Sequence, residues 1–126
     1  MDDNLDFEGI AIDEAEIEAR LETLRIPYAE EYFAATQSPP YAVYLTPSAT
    51  YYGADGCNMM RDQHFRIELV TKTKKDRVRR KFLNLFNDVP FEVEEESGGQ
   101  RNYYLTAISF MSTLDLEDEE DIDDEE

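Results

Sequence analysis

Tyr103-Tyr104-Leu105-Thr106-Ala107-Ile108-Ser109-Phe110-Met111 decides the fold. The stretch is rich in aromatic and β-branched residues and free of glycine and proline, which predicts a strand. Alternation along a strand puts Tyr104, Thr106, Ile108 and Phe110 on one side and Tyr103, Leu105 and Met111 on the other. Both sides carry apolar groups. The strand is therefore expected to lie centrally in a sheet, or to turn its outer face to another subunit.

Reading backwards from this strand, Ser97-Gly98-Gly99-Gln100 supplies a turn and Phe91-Glu92-Val93-Glu94 alternates, so the two form a hairpin. Before it, a helix is predicted over 75–87, with Val78, Phe82 and Leu85 as its stripe, widened by Leu83, Phe86 and Val89 and ended by Pro90. Residues 60–73 read as a strand in which Phe65, Ile67 and Leu69 alternate with Arg66, Glu68 and Val70. The segment 47–58, with Gly53, Asp55 and Gly56, reads as a long loop or hairpin tip. Tyr41-Ala42-Val43-Tyr44-Leu45 is a strand candidate, separated by Ser38-Pro39-Pro40 from a short strand within 28–33.

An earlier helix is signalled by Asp13 and Glu16 at capping-box spacing, then Ile17, Leu21 and Leu24 on one face. Pro27 stops it near Arg25, because the residue before a proline avoids helical torsions. This order predicts an α+β fold: a mainly antiparallel sheet of four to five strands, with two helices packed on one face.

The 126 residues suit one domain, and no apolar run approaches the roughly 20 residues of a membrane helix. Met1-Asp2-Asp3-Asn4 is acidic where an export signal would be basic, and the single Cys57 excludes an internal disulfide. The net charge of -18 is unevenly placed. Residues 1–18 hold 8 acids and no base, and residues 115–126 hold 10 acids in 12 positions. The remaining 12 acids share 19–114 with all 12 bases, so the body of the chain is formally neutral. The expected organisation is an acidic N-terminal arm over 1–12, a domain over 13–114, and an acidic C-terminal tail over 115–126, disordered when alone.

No residue group points to catalysis, and no metal or cofactor is expected. The only histidine, His64, has Asp62 two residues away on the same strand side, a pair expected to be structural. Cys57 lies in a polar loop without a neighbouring base to lower its pKa. A phosphate-binding glycine loop and a nucleophile elbow are both missing. Alternation places Glu92, Glu94 and Glu96 on one strand face, which reads as a solvated face rather than a metal site. The basic cluster is sharper. Lys72, Lys74, Lys75, Arg77, Arg79, Arg80 and Lys81 fall within ten residues that contain one acid, Asp76. On the helix, Lys75, Arg79 and Asn84 are expected to point away from the apolar stripe, with Arg77, Arg80 and Lys81 flanking it. Such a patch reads first as a solvated helix face; it otherwise suits an acidic protein partner, the acidic ends of this chain or a neighbour's, or phosphates, although no aromatic interleaving supports base stacking.

The order of several segments resembles the small tail terminator proteins (tail completion, or tail-to-head joining) of long-tailed bacteriophages. The resemblance is carried by Ile26-Pro27-Tyr28-Ala29-Glu30-Glu31-Tyr32-Phe33, Ser38-Pro39-Pro40-Tyr41-Ala42-Val43-Tyr44-Leu45 and Tyr52-Gly53-Ala54-Asp55-Gly56. It continues through Phe65-Arg66-Ile67-Glu68-Leu69-Val70-Thr71-Lys72, Lys74-Lys75-Asp76 and the closing strand from Tyr103 to Ile108, covering about residues 13–112. It implies a structural virion protein without enzymatic activity, assembled in the host cytoplasm as a ring, commonly a hexamer, in the tail neck. The ring would cap the tail tube protein, stop tube growth and dock to the head connector or stopper protein. DNA would pass through its channel without sequence-specific binding, and Glu92, Glu94 and Glu96 are candidates to line that channel. The acidic ends are longer, and the second helix more basic, than a minimal member requires. Opposite charges on different segments would let neighbouring subunits meet tail to helix. A rival reading is an acidic DNA mimic or inhibitor that binds a nucleic-acid-processing enzyme.

Overall fold

The computed structural model describes residues 11–54, 56–98 and 102–116. The elements run α1 (Glu14–Glu22), β1 (Tyr28–Glu30), β2 (Tyr41–Ala54), β3 (Cys57–Thr71), α2 (Arg77–Leu85), β4 (Glu92–Gly98) and β5 (Tyr103–Asp115). The five strands form one sheet in the order β1-β2-β3-β5-β4. Only the short β1–β2 pair is parallel. The fold is α+β, with both helices on one face of a mostly antiparallel sheet. β5 lies between β3 and β4, so the deciding strand is central.

Alternation accounts for the core. Cross-strand register brings Phe65 opposite Phe110 and Ile67 opposite Ile108, and continues the row through Tyr44 on β2. These residues meet Ile17, Leu21 and Leu24 from the first helix and its following turn, and Phe82 and Phe86 from the second helix and its C-cap. Phe86 links the helix layer to the sheet, its ring centroid 5.7 Å from that of Phe110. Ile12, at the end of the expected arm, is buried in this core, and its carbonyl accepts from the Ser112 hydroxyl at 2.7 Å. Residues 1–10 and 117–126, where most of the expected arm and tail fall, lie outside the described residues.

The helix ends are decided locally. Asp13 caps α1 by accepting from the Glu16 amide at 2.9 Å. The reciprocal half of the expected box is replaced, because the Glu16 carboxylate accepts from Arg20 instead. After Glu22 the chain tightens into i to i−3 bonds through Arg25, whose φ of 58° turns it out of the helix before Pro27. Asp76 caps α2 by accepting from Val78, so this helix starts at Arg77, two residues later than the periodicity predicts.

The expected loop at 47–58 is mostly strand. Pairing runs from Tyr41 opposite Val70 to Ala54 opposite Cys57, interrupted by register shifts between Leu45 and Ser48 and between Tyr52 and Gly53. Pro47 sits within the first shift, where its missing amide breaks no ladder bond. At Gly53 the strands approach so closely that a Cβ would fall 2.2 Å from the Cys57 carbonyl oxygen. The turn uses Gly56 at φ 73°. Residues that ordinarily mark loops here mark irregularities inside a continuous hairpin.

Candidate interaction surfaces

The sequence of α2 builds a basic groove. Lys74, Lys75, Arg77, Arg79, Arg80 and Lys81 line a concavity of about 480 Å³ together with Asp76 and Asn84. Six of the seven predicted basic residues therefore come together, and Lys72 stays outside this lining. Val78 and Phe82 hold the opposite flank of the helix on the core. Among the described residues, no carboxylate pairs with Lys75, Arg77, Arg80 or Lys81.

Arg79 departs from its predicted outward placement. It is half-buried, donates through Nε to Thr106 Oγ1 at 3.1 Å and lies 5.7 Å from the centroid of the Tyr104 ring. Its other end donates to Glu95, which also accepts from the Tyr104 hydroxyl and has Lys74 at 3.8 Å. The Tyr104 hydrogen bond, ahead of the one from Arg79, holds the Glu95 carboxyl below its usual value. The same bond to Glu95 raises the Tyr104 hydroxyl. Arg79 turns to the sheet, where Glu95 of β4 and Thr106 of β5 accept its hydrogen bonds. The alternation that sets Glu92, Glu94 and Glu96 outward sends Glu95 to the helix side.

Among the described residues, no helix lies over the opposite face of the sheet. Glu92, Glu94 and Glu96 do share this face, opposite Ser109, Ala107 and Leu105 of β5. Their environments differ. Glu94 accepts from Arg66 at 2.8 Å, and the same guanidinium donates to Glu68 at 2.8 Å. Bonds to Glu68 first and Glu94 second raise the Arg66 pKa. Among the described residues, no cation pairs with Glu92 or Glu96. Next to this acidic strip, Tyr41, Val70, Tyr103 and Leu105 line a depression of about 530 Å³, bordered by Thr36 and Gln37 of the β1–β2 connection. Phe33 from that connection packs edge-on against Tyr41, with ring centroids 5.6 Å apart. Farther along β5, Met111 stands 52% exposed.

No protein-family model matches this chain, and no curated protein matches it.

The remaining sequence candidates are dispersed. Asp62 accepts from the Tyr52 hydroxyl at 3.1 Å and from Thr113 at 2.8 Å, so its bonds go to these hydroxyls rather than to His64. Cys57 is exposed at the end of the β2–β3 hairpin. Among the described residues, no three or more His, Cys, Asp or Glu side chains form a group able to hold a metal ion. Among them, too, no helix is long and apolar enough to cross a membrane.

One organising residue escapes the sequence reading. Arg20 donates to both oxygens of Asp88 at 2.8 and 2.9 Å and to the Leu85 carbonyl at 2.9 Å, and lies 5.3 Å from the Phe86 ring centroid. It thereby clasps the two helices and satisfies a carbonyl at the end of α2. The bond from Arg20 depresses the Asp88 carboxyl, and the bond to Asp88 raises the guanidinium. Its partners lie 65 and 68 residues away, a separation that local spacing does not reveal.

Proposed function

We propose that this protein is a structural, non-enzymatic virion subunit that assembles as a ring, of six copies by the resemblance, at the head-proximal end of a bacteriophage tail. There it ends growth of the tail tube and joins the tail to the head connector, while DNA passes through the channel. The observation that carries the reading is the side of the sheet that no helix among the described residues covers. Its central strand bears Tyr103, Leu105 and Met111 on that side, beside Tyr41 and Val70. Apolar groups in such a strip are stabilised by covering them, and a closed ring of copies covers them with one repeated contact.

The acidic strip suits a channel wall. Carboxylates at Glu92 and Glu96 would repel DNA phosphates at short range, where screening by salt is incomplete. The DNA-mimic reading needs carboxylates left free on a rigid surface. Glu68 and Glu94 are both committed to Arg66, which favours the ring.

Electron microscopy of particles made without this protein tests the proposal. Overlong tails, or tails separated from heads, are expected. Normal joined particles would reject it.

A further inference from the structure

The groove along α2 and the acid-rich C-terminal segment are complementary in charge, and strand geometry decides which copies they can join. Residues 117–126 carry nine carboxylates in ten positions, against four in residues 1–10. The groove offers Lys75, Arg77, Arg80 and Lys81, which have no carboxylate partner among the described residues. Arg79 ties the groove to Thr106, toward the start of β5, whereas the acidic segment leaves from the far end, after Asp115. The nine residues between those points span about 30 Å of strand.

An extended chain covers at most about 3.6 Å per residue. To return along its own subunit, the segment would use Leu116 through Asp124 merely to regain the level of Arg79. Only Glu125 and Glu126 would then reach the level of Arg79 and the Lys75 and Arg77 end beyond it, the Asn84 end alone lying nearer to Asp115. A second copy imposes no such return and receives the whole acidic run.

We propose that the basic groove of α2 binds residues 117–126 of a second copy of this chain. The partner is acidic polypeptide rather than nucleic acid, because the exposed groove cations carry no stacking aromatic. Opposite charges at this density also steer the encounter, so the contact weakens steeply as salt rises. It does not depend on the ring reading, since any second copy presents the same groove.

Two full-length variants test it. In one, the nine carboxylates of 117–126 become amides. In the other, Arg77→Gln, Arg80→Gln and Lys81→Gln neutralise the groove. Sedimentation velocity should show the unmodified chain associating near 50 mM salt, on the order of tenfold more tightly than near 300 mM. Each variant alone should lose this salt-sensitive association, and an equimolar mixture should regain it, because one supplies the groove and the other the acidic segment. Association equally strong in either variant alone, or a mixture that fails to associate, overturns the proposal. So does loss of the contact on neutralising Asp2, Asp3, Asp6 and Glu8 with 117–126 intact, or its displacement by equimolar duplex DNA. Tube capping measured on the same variants separates the two proposals: capping that survives loss of this contact leaves the ring reading standing, and the converse leaves this one.

Discussion

The two faces of the sheet are written by the same strands with the same alternation, yet they solve the burial of apolar groups differently. On the helix side, Phe65, Ile67, Leu69, Ile108 and Phe110 meet α1 and α2 within the chain. On the other side, among the described residues, Tyr41, Val70, Tyr103 and Leu105 are bordered by the β1–β2 connection, while Arg66 bridges two glutamates beside them. The first face makes the chain fold. The second is left open by the described residues, a property that the proposed docking to another molecule would use.

The sharpest way to break this comparison is to damage the covered face. Phe82 is fully buried and packs edge-on to Phe86, so Phe82→Ala should cost about 3–5 kcal/mol. Against a total stability of about 5–15 kcal/mol, that loss should move a urea unfolding midpoint strongly downward. A near-normal midpoint would mean the helix layer does not hold the sheet as described.

Arg20→Gln should cost less, about 1–2 kcal/mol, because Asp88 is exposed enough for solvent to screen much of the pair. The same unfolding assay should show it, and the double variant with Asp88→Asn should be less than additive.

How far these surfaces were legible from sequence follows from which signals are local. The apolar stripe of α2 and the alternation of β5 depend on residues within one element, and they placed Phe82, Ile108 and Phe110 in the core, with Val78 and Leu85 partly buried against it. Pro47, Gly53 and Gly56 misled, because turn-forming residues can also mark a bulge, a close strand approach and a tight hairpin end. Parallel pairing of β1 with β2 left no local trace. Arg79 was expected at the surface because helical spacing alone ignores what the sheet offers, here Glu95 and Thr106. The basic cluster was legible as a group, while its concave form and the tie to β5 required the tertiary structure.

On the open face, Val70→Ser combined with Leu105→Ser should change stability by only about 1 kcal/mol, since both residues are already partly exposed. The same double variant should nevertheless lose its docking to copies or tube. A collapse of folding comparable with Phe82→Ala would erase the distinction between the faces.

The smallest expected effect is set by pH. The folded Asp88 carboxyl is held below its ordinary value by Arg20, so its contribution is present above that ordinary value. It is lost as pH falls through the lowered folded value. The stability difference between the wild-type chain and Asp88→Asn should therefore shrink toward zero in acid, by less than about 1 kcal/mol in total. A difference that grows on acidification would contradict the assigned direction.

Binding of purified protein to one end of isolated tail tubes, viewed by electron microscopy, tests the central claim most directly. The wild-type chain should cap a single end, and the folded Val70→Ser/Leu105→Ser chain should leave both ends bare. Tubes left uncapped by the wild-type chain, or capped equally well by the open-face variant, would contradict the account.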